Sequence, residues 1–317
     1  MPAFTLDEVR EATGAQLYKM EHEEFTDIVT DTRKITPGVL FLAFKGERFN
    51  GEDFVRDAVE KGANGVMVST SCPKEQLAGL KTTVLIAEDT LTTYQQLAHA
   101  WRMRFSLPVV AITGSNGKTV IKEWIAEELP AGMKYYRSPK SYNSQLGVPL
   151  SVLMLEGDEE LAVFEAGISK PGEMERLERI IRPDAVIFTS IGDAHQENFL
   201  NLEQKCLEKM TLARSASKIV YHSYYEPLGR LIASHFAERK LYDAAAYPRI
   251  PESVIGNEAS RRNAQIVEAF CDAMHYPAPS FAAAPCCRAS SRSSSSCCCC
   301  PARWCSRTAS SSTSRSR

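Results

Sequence analysis

The sequence predicts an α/β protein of two units: a small N-terminal α/β unit, then a larger one whose mostly parallel sheet is flanked by helices. Three observations predict it. Short, almost wholly apolar runs at 108–113, 161–165, 185–190 and 218–222 have the length of strands buried on both faces. Segments of helical period at 118–129, 173–181, 202–213 and 228–237 alternate with them, the pattern of a parallel sheet covered by crossover helices. A glycine-rich turn at 114–117 joins the first of these strands directly to its helix.

The elements justify themselves in order. A helical pattern at 5–13 precedes β-rich runs at 27–32, 39–44, 65–69 and 83–87, with a helix at 54–61 among them. Residues 89–105 read as a connecting helix, with Asp89 or Thr90 as N-cap and Pro108 at its exit. After the four strand–helix repeats, a last helix at 259–275 closes the patterned part. No internal repeat is visible. The expected division is 1–88, a connecting helix over 89–107, a central unit over 108–281, and a tail over 282–317.

Composition supports this division. The 317 residues are 44% hydrophobic and 24% charged, the values of a globular protein. No apolar run approaches the ~20 residues of a membrane span, and no basic-then-apolar leader opens the chain, so a cytoplasmic protein is expected. From Ala282 onward the vocabulary narrows to Ser, Arg, Cys, Ala, Pro and Thr with a single Trp, without Asp, Glu or Lys, and this stretch holds seven of the ten cysteines. Before it stand 31 Lys+Arg (the chain's 37 less the six arginines of the tail) against 39 Asp+Glu, so the body is about −8 and the tail +6. A Ser/Arg tract suits RNA and a cysteine cluster suits a metal, but the adjacent cysteines lack C-x-x-C spacing and no histidine joins them. Out-of-frame reading of a GC-rich gene gives the same vocabulary, and the tail is expected to carry no function. Neither a nucleic-acid nor a membrane partner is expected, and the chain is expected to be a monomer.

The strongest chemical signal is Thr113-Gly114-Ser115-Asn116-Gly117-Lys118-Thr119. Backbone N–H groups of such a turn, followed by a helix N-terminus, cradle phosphate oxygens. Lys118 would reach the β/γ-phosphates and the Thr119 hydroxyl a Mg²⁺ ion. Ile112 stands where the longer form has its first glycine, so this is the shorter G-x-x-G-K-T spacing. A bare G-K-T is common; its place between an apolar strand and a helix makes it a nucleotide site. Glu165 ends an apolar strand and His195 follows the next one, both on the sheet edge where ligands bind in such folds. Each has a plainer reading, as a helix cap and as a structural histidine. On spacing alone, Lys209 is a solvated helix lysine and Asn263 a polar helix residue.

Taken together, these residues resemble the Mur ligases of peptidoglycan synthesis. The glycine loop is similar to that family's T-G-x-N-G-K-T, and Ser141-Tyr142-Asn143-Ser144-Gln145-Leu146-Gly147-Val148-Pro149 to its asparagine-containing substrate loop. Phe164-Glu165-Ala166-Gly167 and Ile191-Gly192-Asp193-Ala194-His195 resemble its acidic and histidine motifs. Asp31-Thr32-Arg33, the segment from Phe41 through Lys45 to Gly46, and Phe49 to Phe54 resemble its UDP-sugar-binding domain. The stretch 138–153 looks most like ligases fused to an alanine racemase.

The resemblance implies an ATP-dependent ligase adding D-Ala-D-Ala to a UDP-N-acetylmuramoyl-tripeptide through an acyl phosphate. It implies catalytic roles for Lys118, His195 and Lys209, and ATP contacts from Gly114, Ser115, Asn116, Gly117, Lys118, Thr119 and Asn263. It implies substrate contacts from Thr32, Arg33, Lys45 and Asn143. Two Mg²⁺ ions are implied, the first on Thr119 and Glu165, the second on His195 and a carbamylated Lys209. The segment 225–257 looks short for the family, which puts some central strands in question. The family's third, Rossmann-like domain is expected to be missing after Phe281, leaving a chain that binds nucleotide weakly without turnover. The competing readings are another Mur-type ligase, folylpolyglutamate synthase, and a P-loop kinase or non-catalytic nucleotide-binding module.

Overall fold

The computed structural model describes residues 2–46, 50–192, 196–249, 251 and 255–281. The N-terminal unit contains β1 (Phe4–Thr5), α1 (Leu6–Thr13), β2 (Gln16–Lys19), β3 (Glu24–Phe25), β4 (Ile28–Val29), β5 (Leu40–Leu42), α2 (Val55–Glu60), β6 (Gly65–Ser69), α3 (Lys74–Leu77) and β7 (Thr83–Ala87). Five of its strands form one sheet in the order β2-β7-β6-β5-β4, parallel except for β2. The run expected at 27–32 gives a strand only at Ile28–Val29. Asp31 ends it by accepting from the Arg33 N–H and capping a 3-10 turn at Thr32–Lys34. The helix expected at 54–61 begins as a 3-10 turn, Gly51–Phe54, capped by Asn50.

Next comes α4 (Thr90–Arg102), whose N-cap is Asp89; its carboxylate accepts from the N–H groups of Leu91 and Thr92. The helix buries Tyr94, Leu97, Ala98 and Trp101 in a core that runs unbroken from Phe4 and Val9 to Val186 and Phe188 of the central sheet.

The central unit continues as β8 (Val109–Thr113), α5 (Lys118–Glu128), β9 (Tyr135–Arg137), α6 (Gly147–Val152), β10 (Leu161–Glu165), α7 (Glu173–Ile181), β11 (Ala185–Phe188), α8 (Leu202–Met210), β12 (Lys218–Tyr221), α9 (Leu228–His235), β13 (Lys240–Asp243) and α10 (Glu258–Met274). Its six strands are all parallel, in the order β13-β12-β11-β8-β10-β9. Successive side chains alternate between two cores, as a pleated strand requires. Val109 and Ala111 face the side with α6, α7, α8 and α9, whereas Val110 and Ile112 face α5 and α10. β9 and β13, the two outer strands, and α6 were not foreseen. β13 shows that the segment 225–257 retains a strand of the sheet. The helix expected at 202–213 stops at Met210 and tightens into a 3-10 turn, Thr211–Ala213.

The strand order fixes where a ligand can enter. β8 lies between β10 and β11: the chain first adds β9 and β10 on one side of it, then crosses to add β11, β12 and β13 on the other. Such a reversal opens a crevice at the C-terminal ends of the strands. The glycine loop follows β8, Glu165 ends β10, and Ser190 to Gly192 follow β11. All three meet at that crevice.

Candidate active site

The loop after β8 is held by its backbone. Gly117 has φ +88° and caps α5, while Gly114 has φ +148° and packs so closely on Thr189 that a Cβ there would lie 1.9 Å from the hydroxyl. Only glycine adopts both conformations without strain. The segment after β11 is bonded to this loop. The Ser115 N–H donates to Ser190 O (2.7 Å), the Ser115 hydroxyl donates to Gly192 O (3.1 Å), and the Gly192 N–H returns to that hydroxyl (3.0 Å). The Thr189 and Ser190 hydroxyls both donate to Asn116 O, at 2.6 and 3.2 Å.

Two lysines converge on the same carbonyl. Lys118 Nζ lies 2.9 Å from Gly114 O and 3.3 Å from Ser115 O; Lys209 Nζ, from α8, lies 3.2 Å from Gly114 O. Burial lowers the Lys118 pKa, an effect partly opposed by Glu165. Burial, then the charges of Lys118 and Lys205, brings Lys209 down to about 7. Lys205, one turn earlier on α8, is itself buried and donates to Gly192 O. The result is a pocket of nitrogen donors around the loop, suited to an anion.

Glu165 is fully buried. Its Oε1 lies 2.8 Å from Lys122 Nζ, an ion pair without hydrogen-bond alignment. Its Oε2 accepts from the Thr119 hydroxyl (3.2 Å) and, more weakly, from the Asn143 amide (3.5 Å). Lys122 also donates to the carbonyls of Ser138 and Lys140, so its side chain ties α5 to the segment after β9. Sequence reasoning missed Lys122. The available signal was its place between Ile121 and Ile125, on the buried stretch of an amphipathic helix and one turn after Lys118.

Asn143 lies beside Glu165, and its carbonyl accepts from the Gly167 N–H at 2.8 Å. Asn263, from α10, stands over the start of α5: a Cβ on Gly117 would lie 3.2 Å from its Oδ1. Thus Gly114, Ser115, Asn116, Gly117, Lys118, Thr119, Asn143, Glu165, Lys209 and Asn263 are brought to one crevice. His195 lies outside the described residues. Thr32, Arg33 and Lys45 belong to the N-terminal unit and do not line the cavity at Lys118. The Arg33 guanidinium forms a two-point pair with Asp31 (2.9 and 2.7 Å), which holds the Asp31 carboxyl down at about 2. The Thr32 carbonyl accepts from Lys61, and Lys45 is exposed, bridged to Asn50.

The crevice opens into a cavity of about 510 Å³, the size of a small-molecule site. Lys118 lines it from the loop side and Lys209 from α8, Gln145 and Leu146 from the segment before α6, Ser169 from the segment after β10, and Arg176 from α7. Among the described residues no three His, Cys, Asp or Glu side chains group as a metal site. A hydroxyl and a carboxylate 3.2 Å apart beside a phosphate loop nevertheless suit Mg²⁺, which takes few protein ligands and completes its shell with phosphate and water.

A parallel sheet with a glycine phosphate loop at its reversal point, backed by converging lysines and a hydroxyl–carboxylate pair, defines a P-loop nucleotide-binding protein of the α/β class. Two family descriptions match the chain, "Mur ligase family, catalytic domain" over residues 24–101 and "Mur ligase middle domain" over residues 112–242. The chain belongs to the Mur ligase family. It is 36% identical over 198 residues to the UDP-N-acetylmuramoyl-tripeptide–D-alanyl-D-alanine ligase of Bacillus subtilis, an alignment covering 61% of this chain and 42% of that protein. The chain therefore spans less than half the length of the curated relative it matches. Its fold is that of the Acinetobacter baumannii UDP-N-acetylmuramoylalanyl-D-glutamyl-2,6-diaminopimelate–D-alanyl-D-alanyl ligase (TM-score 0.73, 23% identity, covering 87% of this chain and 67% of that one). It is equally that of the Thermotoga maritima MurF ligase in complex with ADP (TM-score 0.69, 22% identity, covering 81% and 65%).

Proposed function

We propose that this chain carries the ATP- and acceptor-binding machinery of a ligase that joins D-Ala-D-Ala to a UDP-N-acetylmuramoyl-tripeptide. The observation that carries the reading is the convergence of Lys118 and Lys209 on Gly114 O, across the loop from the Thr119–Glu165 pair. Activating a carboxylate with ATP brings two anions together, so the site must concentrate positive charge where they meet. Lys118 leaves its backbone carbonyls for the β/γ-phosphates, and the loop N–H groups and the α5 N-terminus hold the remaining oxygens. The acceptor carboxylate then attacks the γ-phosphorus and ADP departs. The amine of the dipeptide attacks the acyl carbon of the resulting acyl phosphate, and inorganic phosphate leaves.

Thr119 and Glu165 would hold one Mg²⁺, which supplies charge neutralisation at the phosphates. Lys122 fixes the Glu165 carboxylate so that one oxygen remains directed at Thr119. Lys209, with an amine that is substantially neutral near pH 7, is suited to take up CO₂ as a carbamate. With His195 it would then hold a second Mg²⁺. Asn143 orients the acceptor and Asn263 the nucleotide, while Thr32, Arg33 and Lys45 offer polar groups to the UDP-sugar. No helix among the described residues is long and apolar enough to cross a membrane. A cytoplasmic, monomeric protein without nucleic-acid partners is part of the same reading.

Titration calorimetry with ADP and Mg²⁺, then with UDP-N-acetylmuramoyl-tripeptide, tests the proposal. Both should bind, and Lys118→Ala should weaken ADP at least tenfold. A chain that binds ADP but shows no affinity for the muramyl peptide at millimolar concentration would refute it.

A further inference from the structure

The cavity beyond the phosphate loop contains a cation that the reaction outlined above does not use. Arg176 lies in the first turn of α7 and lines the same cavity as Lys118 and Lys209. The acidic groups around it are committed elsewhere. Glu173, one turn earlier, accepts from the N–H groups of Ser169 (2.6 Å) and Lys170 (2.9 Å). Glu208, reaching over from α8, accepts from the N–H groups of Gly172 and Met174, at 2.8 and 3.1 Å. Glu175, the neighbour of Arg176, is taken by Arg179 and Arg214, at 3.0 and 2.9 Å. Arg176 itself makes no hydrogen bond or ion pair among the described residues. Its two arginine neighbours saturate the local carboxylate, and it faces the cavity instead.

The Gln145 stretch of the lining is braced by hydrogen bonds. Gln95 of α4 donates to the carbonyl and side-chain oxygens of Gln145, at 3.0 and 3.1 Å. The Gln145 amide in turn donates to Glu173 O at 3.0 Å. Leu91, Leu146 and Ile168 add apolar surface to the same lining. A ligand in the cavity therefore meets the loop lysine Lys118, apolar side chains and a guanidinium without a partner among the described residues. A guanidinium in that position selects a planar anion by two parallel N–H bonds.

We infer that Arg176 binds a carboxylate of the acceptor peptide other than the one that is activated, and so fixes which carboxyl group reaches Lys118. The inference rests on the acceptor reading above. A peptide containing glutamyl and diaminopimelyl residues retains free carboxylates besides its reacting terminus: a glutamyl residue keeps one, and a diaminopimelyl residue joined through an amine keeps another. Several near-equivalent carboxylates compete for one phosphoryl acceptor site. Anchoring one of them at a fixed distance is how the cavity can present the correct one.

The test is a binding cycle on the full chain, using UDP-N-acetylmuramoyl-L-alanyl-D-glutamyl-diaminopimelate and its two derivatives with one non-reacting carboxylate converted to an amide. On the unsubstituted chain, one amide should bind about tenfold or more weakly than the acid. On Arg176→Gln that acid/amide difference should vanish, and Arg176→Lys should restore part of it. Arg179→Gln should keep the full difference, and the thermal melting of Arg176→Gln should match that of the unsubstituted chain. An Arg176→Gln chain with an undiminished acid/amide difference for both amides would overturn the inference while leaving the acceptor reading intact. No binding of the acid to the unsubstituted chain would overturn both.

Discussion

Lys118 and Lys209 share one acceptor, the Gly114 carbonyl oxygen, at 2.9 and 3.2 Å. Two ammonium groups on one oxygen repel each other, and the arrangement is eased because Lys209 gives up its proton readily. The shared carbonyl thus gives the two amines different parts: Lys118 keeps its charge for phosphate, while Lys209, brought down to about 7, has the free amine that carbamate formation needs.

Stability should therefore depend on pH through Lys209. An unfolded lysine titrates near ~10.4, whereas folding brings Lys209 down to about 7. Above the higher value the group is neutral in both states and contributes nothing. Between the two, the unfolded chain holds a proton that the folded chain lacks, so stability rises with pH; below the lower value the penalty is complete. Lys209→Met should stabilise the chain, most strongly below about pH 7, with the advantage fading as pH approaches ~10.4. Urea melts across that range measure it, and a difference independent of pH would contradict the assignment.

Glu165 and Lys122 are both fully buried and 2.8 Å apart. Removing one partner leaves a charge without compensation in a low-dielectric site, so Lys122→Met should cost about 3–5 kcal/mol. The double variant Lys122→Met with Glu165→Gln should recover most of that loss but should lose Mg²⁺-dependent nucleotide affinity. Denaturation and calorimetry on the same samples separate the two effects. A double variant that loses the sum of what Lys122→Met and Glu165→Gln lose singly would show that the pair is not coupled.

At Gly114 the constraint is steric. An added Cβ would meet the Thr189 hydroxyl at 1.9 Å and Ser190 O at 3.0 Å, on a backbone with φ +148°. Gly114→Ala should destabilise the chain by about 1–3 kcal/mol and abolish phosphate binding. Thr189→Ala in the same chain should not restore it, because the backbone strain and the Ser190 contact remain. Thermal melts with and without ADP give the answer.

Legibility in the sequence followed burial. The expected bounds of α7 match the structure at both ends, because Gly172 opens it and a dense apolar stripe of Met174, Leu177, Ile180 and Ile181 defines it. The inner strands β8, β10 and β11 were plain because every residue in them is buried. The outer strands β9 and β13 carry half-exposed, mixed sequences such as Tyr135-Tyr136-Arg137, and a strand with one neighbour has no continuous apolar run to show. The glycine loop and Glu165 could be placed from pattern alone. Lys209 and Asn263 could be singled out only by resemblance, since a helix lysine or asparagine has no local mark of facing a loop. Lys122 had such a mark, its apolar flanks, but a long lysine on such a face more often lays its stem along the core and its head in water.

The cross-bonding between Ser115, Asn116 and the Thr189–Gly192 segment has a kinetic consequence. A phosphate loop that orders only around its ligand loses conformational entropy at each binding event, and its association waits on that rearrangement. Here the ordering is completed when β8 and β11 pair during folding. Nucleotide should therefore associate at a rate governed by encounter and charge, with a small activation barrier, and differences in affinity among loop variants should appear in how quickly the nucleotide leaves.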